Sequence, residues 1–298
     1  MSYRDLEQRL QRGDVILLDG GTGSEVLRLR LPSTVGLWAV SPLLNAPDVL
    51  REIHETYIAA GADIITTATF RTHRRALLHA GLDHDAAELT CRAVALAEEA
   101  RLRSERGVLI AGSMAPLEDC YEPDRVPDDA ELQAEHEAHA RILGEAGVNF
   151  LLAETMNTVR EARAALLAGL QTGLPTWISL TCTGGGRLLS GETIKAALDA
   201  LLPLAPSALL VNCTAPDHVT TALAAMQGLH TVPLGAYANN GHPTGTTGWA
   251  FTGDYPPARY VEEARRWRGH GARILGGCCG TTPEHIRALR EDLDRSAA

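Results

Sequence analysis

The sequence has a single lysine, Lys195, among 298 residues, and arginine supplies the rest of its Lys/Arg charge. A barrel enzyme that forms a Schiff base with its substrate needs a lysine amine at the end of a strand. Lys195 falls inside a helical stretch of the sequence. The scarcity of lysine therefore excludes a Schiff-base aldolase.

The chain also lacks an excess of positive charge and any long apolar segment. Its 27 basic and 37 acidic residues give a formal net charge of −10, which repels phosphate backbones, so nucleic acid is not an expected partner. No stretch approaches the roughly 18 consecutive apolar residues of a membrane span, and residues 1–10 contain no apolar leader. We therefore expect a soluble, cytoplasmic protein that does not bind membranes.

Short apolar runs alternate with amphipathic, alanine-rich stretches along the whole chain. This alternation indicates parallel strands joined by helical crossovers. Eight strands are predicted, at residues 15–18, 64–67, 108–111, 150–153, 176–180, 208–211, 232–236 and 273–275. Helices are predicted at 48–60, 85–103, 129–146 and 158–170. Eight such units in about 300 residues favour a single (β/α)8 TIM-barrel domain over residues 1–298, with an open doubly wound sheet as the alternative.

In a closed barrel the active site lies where the carboxyl ends of the strands meet. Several predicted strands end in residues suited to binding or chemistry. These residues are Asp19, Gly20 and Gly21 after the first strand, Phe70 after the second, Glu154 after the fourth, Asn212 and Cys213 after the sixth, and Cys278 and Cys279 after the eighth. Acid, amide and thiol groups are therefore expected to converge on one mouth.

The cysteines carry the most specific chemistry. Six cysteines in a chain of this length, two of them adjacent, indicate reduced thiols or metal ligands rather than a disulfide framework. Cys213 and the pair Cys278 and Cys279 are separated by one intervening strand, about 10 Å at normal strand spacing. Three thiolates can hold zinc tetrahedrally and leave one position for a substrate thiol. A vicinal disulfide or a set of small buried hydrophobic residues remains the alternative.

Three segments resemble the homocysteine S-methyltransferase family. They are Leu-Leu-Asp-Gly-Gly-Thr-Gly (17–23), Val-Asn-Cys (211–213) and Gly-Gly-Cys-Cys-Gly-Thr-Thr-Pro (276–283). The resemblance covers nearly the whole chain. It implies a zinc-dependent barrel that transfers a methyl group to homocysteine and so forms methionine, with small molecules as its partners.

The resemblance also implies a role for each matching position. Cys213, Cys278 and Cys279 would be the zinc ligands, and Glu154 would receive the substrate ammonium group. Asp19 would lie near the same end of homocysteine, where the turn containing Gly20 and Gly21 could offer amides to the carboxylate. The remaining substrate-binding residues are Trp38, which matches a tryptophan beside the methyl donor, together with Phe70 and Asn212.

The methyl donor is less well defined by the sequence. Arg71 stands where the betaine-using relatives carry a tyrosine, and its fixed charge would repel a quaternary ammonium. The resemblance then implies S-methylmethionine or S-adenosylmethionine as the donor. Another thiol or selenol could replace homocysteine, and the acidic, proline-containing loop 116–129 could shape a different pocket.

Two further classes fit part of the sequence. A phosphate-binding isomerase barrel would use the glycines after the last two strands, but it leaves the three cysteines at the mouth unexplained. A non-catalytic zinc-binding or thiol-binding protein would use the cysteines without turnover.

Overall fold

The barrel sheet contains eight parallel strands. The structure, a computed structural model, describes residues 1–30, 40–78, 80–244 and 248–297. The strands are β1 (Ile16–Leu17), β2 (Ile64–Thr66), β3 (Leu109–Met114), β4 (Phe150–Met156), β5 (Thr176–Leu180), β6 (Ala208–Asn212), β7 (Leu234–Ala238) and β8 (Ala272–Gly277). Their order is β1-β8-β7-β6-β5-β4-β3-β2, and a parallel bridge between Leu18 and Ile64 joins the two ends. The predicted (β/α)8 barrel is confirmed.

Helices surround the sheet. They are α1 (Tyr3–Gln11), α2 (Thr22–Arg28), α3 (Val40–Asn45), α4 (Pro47–Ala60), α5 (Arg74–Leu78), α6 (Ala86–Arg103), α7 (Asp129–Glu145), α8 (Val159–Gln171), α9 (Ile194–Leu201), α10 (Pro216–Met226), α11 (Pro257–Gly269) and α12 (Pro283–Ala297). Local sequence sets several boundaries. The side chains of Asp128 and Thr158 cap the starts of α7 and α8, and Gly61 ends α4 in the left-handed conformation at φ +109°.

Several strand bounds and two hairpins differ from the sequence-based expectation. The seventh strand is expected at 232–236 but runs from Leu234 to Ala238, because residues 231–232 form a bend and Pro233 has no amide hydrogen to donate. Two short antiparallel hairpins, Cys182–Thr183 with Arg187–Leu188 and His242–Thr244 with Gly248–Ala250, extend from the ends of β5 and β7. Pairs of two or three residues are too short for alternation to predict.

The strands separate two apolar layers. Side chains that alternate along each strand point either into the barrel or toward the helices. Inside lie Ile16, Leu109, Phe150 and Leu210, while the neighbouring Leu17, Ile110, Leu151 and Leu209 pack under the helices.

Helix α1 closes the N-terminal end of the barrel. Its Leu6 is fully buried among the interior side chains, and the Tyr3 hydroxyl accepts a 2.8 Å hydrogen bond from Trp177 Nε1. Phe150 lies between them, with its ring centroid 5.5 Å from that of Tyr3 and 4.4 Å from that of Trp177. Helix α1 therefore covers the interior at the end opposite to the one where the strands terminate.

No helix in the four described segments is long and apolar enough to cross a membrane.

We predict that Leu6→Ala destabilises the protein by about 2–5 kcal/mol, because it leaves a cavity where α1 seals the barrel. Leu102→Ala is the matched control: Leu102 is also helical but 73% exposed, so its loss should cost less than about 0.5 kcal/mol. Urea unfolding of both variants measures the difference. Equal effects would show that α1 does not contribute to the folded barrel as described.

Candidate active site

Three cysteines meet at the C-terminal mouth of the barrel. Cys213 follows β6, and Cys278 and Cys279 follow β8. The Sγ atoms of Cys213 and Cys278 are 2.9 Å apart, and all three sulfurs lie within 4.8 Å of one another. All three are free thiols. The predicted convergence of this cysteine trio (Cys213, Cys278 and Cys279) is therefore confirmed.

The trio suits a metal ion chemically. Hydrogen bonding with the thiols of Cys213 and then Cys279 holds the pKa of Cys278 well below its ordinary range. A thiolate is therefore stabilised among the three sulfurs, and thiolate is the form that binds metal. No further cysteine, histidine or carboxylate in the described chain belongs to this cluster, so the protein supplies three ligands.

Unusual backbone conformations bring the sulfurs together. Cys213 adopts a left-handed φ of +47°, which turns the chain sharply after β6. On the other side, Gly280 has φ +82°, and a Cβ there would lie 1.8 Å from the carbonyl oxygen of Asn240. Only glycine fits at this position, and it lets the chain turn directly after the cysteine pair.

Asn212 connects the cysteine trio to the neighbouring strands. The pairing of β4 with β5 shifts register after Ala153, and Thr155 in this bulge has φ +64°. The Asn212 side chain pairs with the polar groups of Thr155 in this bulge. Its Oδ1 accepts from the Thr155 amide at 2.9 Å, and its Nδ2 donates to Thr155 Oγ1 at 2.8 Å. Its Oδ1 also accepts from Ser179 Oγ at 2.7 Å.

Glu154 lies beside the trio at the same bulge. Its Oε1 accepts a 2.6 Å hydrogen bond from Ser113 Oγ, and its Oε2 accepts from the Tyr237 hydroxyl at 3.1 Å. No arginine, lysine or histidine of the described segments lies within ion-pair distance of it. Burial, and then charge on Cys278, raises the pKa of Glu154 to about 8. A buried carboxyl with only neutral partners of this kind favours a cationic ligand.

Asp19 has a structural role in the closed barrel. Its Oδ2 accepts from the Thr66 amide at 2.7 Å and its Oδ1 from Thr66 Oγ1 at 2.9 Å, which joins β1 to β2 just beyond the bridge at Leu18. Burial raises the pKa of Asp19 to about 7. Gly21 lies against the cysteine pair, since a Cβ on it would be 2.7 Å from the Cys278 carbonyl oxygen. Gly20 packs equally closely on Tyr57.

The remaining predicted residues are placed as follows. Phe70 lies in the turn that follows β2, and the guanidinium of Arg71 lies 5.1 Å from its ring centroid. Trp38 lies outside the described residues. Ser113 and Tyr237, which hold Glu154, are not among the predicted site residues. Their positions at strand ends are the only sequence signal that could have indicated them.

Comparison with known proteins agrees with this geometry. The sequence profile of the family described as homocysteine S-methyltransferase matches residues 16–293. A homocysteine S-methyltransferase of Escherichia coli is 32% identical, over 96% of this chain and 97% of its own length. A selenocysteine methyltransferase of Astragalus bisulcatus is 27% identical, over 95% and 94%. The metallated form of the homocysteine methyltransferase MmuM from Escherichia coli superposes with a TM-score of 0.84 at 28% identity, over 96% of this chain and 99% of that one. The chain therefore belongs to the homocysteine S-methyltransferase family.

Proposed function

We propose that this enzyme transfers a methyl group from a sulfonium donor, S-methylmethionine or S-adenosylmethionine, to the sulfur of homocysteine, with zinc held by Cys213, Cys278 and Cys279. The observation that supports it most directly is the meeting of three thiols within 4.8 Å beside a buried carboxyl that has no cationic partner in the described chain. One site thus offers groups for both ends of an amino-acid thiol.

The cysteine trio fits zinc in ligand type and in number. Catalytic zinc sites use three protein ligands and keep one position for substrate or water, and thiolate is a preferred ligand. When bound, zinc would stabilise the charged form of the substrate thiol and so make it nucleophilic at neutral pH. The alternative of three small hydrophobic residues is disfavoured by the lowered pKa of Cys278.

The protein's own residues would orient homocysteine for attack. Glu154 would bind the substrate ammonium group, with Ser113 and Tyr237 fixing the direction of its carboxyl oxygens. Asp19 would lie at the same end of the substrate, and the segment containing Gly20 and Gly21 would face its carboxylate. Asn212 would hold Glu154 and Cys213 in register through the β4 bulge.

The reaction balances without a redox step. The homocysteine thiol releases its proton to solvent on binding, the resulting thiolate forms a bond to the methyl carbon, and the bond between that carbon and the donor sulfonium breaks. The donor leaves as a neutral thioether, and homocysteine becomes methionine. Cys213 and Cys278 are buried, so little water would reach the nucleophile to solvate and weaken it.

Phe70 and Trp38 are the proposed aromatic contacts of the methyl donor, and Arg71 bears on which donor fits. The Arg71 guanidinium donates to the Glu118 carbonyl oxygen at 3.0 Å and has no acidic partner within the described segments, so its charge is not compensated. Betaine carries its quaternary nitrogen close to its carboxylate. In S-methylmethionine a longer chain separates the two charges, so the onium centre can lie farther from Arg71.

A selenol is the second candidate acceptor. The similarity to a selenocysteine methyltransferase supports it, because a selenol presents the same kind of soft nucleophile to the site.

We expect purified, reduced protein to contain about one zinc per chain and to form methionine from homocysteine. Cys213→Ala should remove the metal and lower turnover by more than the ~100-fold that loss of a residue next to the ligands causes. Cys91→Ala, at an exposed helical position, is the control and should change neither. Metal analysis and methionine assays test this. Full turnover by the Cys213 variant would contradict the proposal.

We expect S-methylmethionine or S-adenosylmethionine to be consumed and betaine to be inactive in the same assay. A competition between L-homocysteine and L-selenocysteine identifies the preferred acceptor. Betaine turnover matching that of the sulfonium donors would refute the proposed donor class.

Binding of L-methionine should depend on the ionisation of Glu154. The carboxyl must lose its proton before it can pair with an ammonium group, and its pKa is about 8, so affinity should fall about tenfold per pH unit as pH drops below 8. Glu154→Gln should bind weakly and lose this dependence, whereas Glu88→Gln, an exposed control, should keep it. Calorimetry from pH 6 to pH 9 measures both. An affinity that is flat with pH in the unmodified protein would contradict the assignment.

A further inference from the structure

A cavity of 350 Å³ lies on the face of the barrel opposite the cysteine trio. It is lined by Gly13, Val15, Arg265, Arg268, Gly269 and Arg273. Gly13 and Val15 precede β1, Arg273 lies at the start of β8, and the other three residues lie in the last turns of α11. In a (β/α)8 barrel the strands begin, and the helices after them end, at the face remote from the mouth. The cavity is therefore separate from the proposed methyl-transfer site.

The three guanidinium groups of this cavity share one carboxylate, that of Asp292 on α12. Arg265 Nε donates to Asp292 Oδ1 at 3.1 Å, and Arg268 Nη1 lies 3.8 Å from Asp292 Oδ2. Arg273 donates instead to the carbonyl oxygens of Arg268 at 3.2 Å and Ala272 at 2.9 Å, and no acid of the described chain lies within ion-pair distance of it. Positive charge therefore exceeds negative charge at the cavity, although the whole chain has a net charge of −10.

The charge of Arg268 is the least well paired of the three that has an acidic neighbour. Its side chain is only 30% exposed, and its distance to Asp292 is longer than a hydrogen bond. Partial burial of a poorly paired charge costs free energy, which a bound anion would offset. A guanidinium also presents several N–H donors in a fixed plane, so it can bind two oxygens of one oxyanion at once.

The rest of the lining favours a compact anion. Among the described residues that border the cavity, Val15 has the only aliphatic side chain and none has an aromatic ring, so a nucleoside base would have no surface to stack on. A Cβ added to Gly13 or Gly269 would meet no atom within 4 Å, so these glycines leave the edge of the cavity open. A phosphate group fits this setting, because its several charged oxygens can accept from more than one guanidinium.

We propose that this cavity binds a phosphate group, either free or carried on a small organic molecule, through Arg265, Arg268 and Arg273. The bound group would join the end of α11 to the start of β8, the strand that leads to Cys278 and Cys279. Occupancy would therefore stabilise the folded barrel by linkage. The proposal goes beyond the proposed function and does not depend on it.

Calorimetry with inorganic phosphate and with glycerol 3-phosphate tests the proposal, on purified reduced protein in a buffer without other oxyanions and at constant ionic strength. We expect one site per chain with a dissociation constant of about 1 mM or below, and a melting temperature that rises with ligand concentration. The tighter of the two ligands identifies whether free or ester-bound phosphate is preferred. Arg268→Gln should raise the dissociation constant at least about tenfold, because charge-assisted hydrogen bonds are lost. Gly269→Glu should weaken binding similarly, because it adds a negative charge to the lining.

Arg141→Gln, at an exposed arginine of α7 that pairs with Glu145, and Gly269→Ala are the matched controls and should leave both dissociation constants unchanged. The proposal is overturned if the unmodified protein shows no saturable binding of either ligand, or if Arg268→Gln and Gly269→Glu leave binding unchanged. Adenosine 5′-monophosphate bound at least about tenfold more tightly than inorganic phosphate would assign the cavity to a nucleotide and overturn the choice of ligand. Methionine formation by Arg268→Gln without phosphate should equal that of the unmodified protein, so a failure of the proposed function appears in a different assay.

Discussion

The site depends on closure of the parallel sheet. Cys213 and the pair Cys278 and Cys279 are far apart in sequence, and only a curved sheet directs the ends of β6 and β8 toward one point above β7. Closure relies on few contacts between β1 and β2, namely the bridge from Leu18 to Ile64 and the hydrogen bonds that Asp19 accepts from Thr66. A residue at the mouth thus also completes the ring that forms the mouth.

Two of the four non-glycine residues with positive φ in the described chain lie where the chemistry is expected. Thr155 and Cys213 are non-glycine residues with positive φ, and Asn212 holds both in place, through its bonds to Thr155 and its position before Cys213. Such conformations cost free energy, and they persist only where the surroundings enforce them. Here these conformations place the Glu154 carboxyl and the Cys213 sulfur on the same side of the barrel.

The site also contains a carboxyl that suits a ligand better than it suits the free protein. Glu154 is buried with neutral partners and has a raised pKa. An amino-acid thiol would supply a cation to this carboxyl. Binding would then relieve unfavourable burial instead of adding to it, a general way in which preorganised sites gain affinity and specificity.

The sequence by itself determined the barrel and the membership of its mouth. Apolar runs with helical crossovers recur eight times, and parallel strands place their carboxyl ends together, so Glu154 and the three cysteines could be assigned to one site from their positions. Tertiary structure alone decided the hydrogen bonds of Asn212 and the partners of Glu154. Those contacts join residues that are dozens of positions apart in the chain, and strand periodicity carries no information about which of them meet once the sheet has closed.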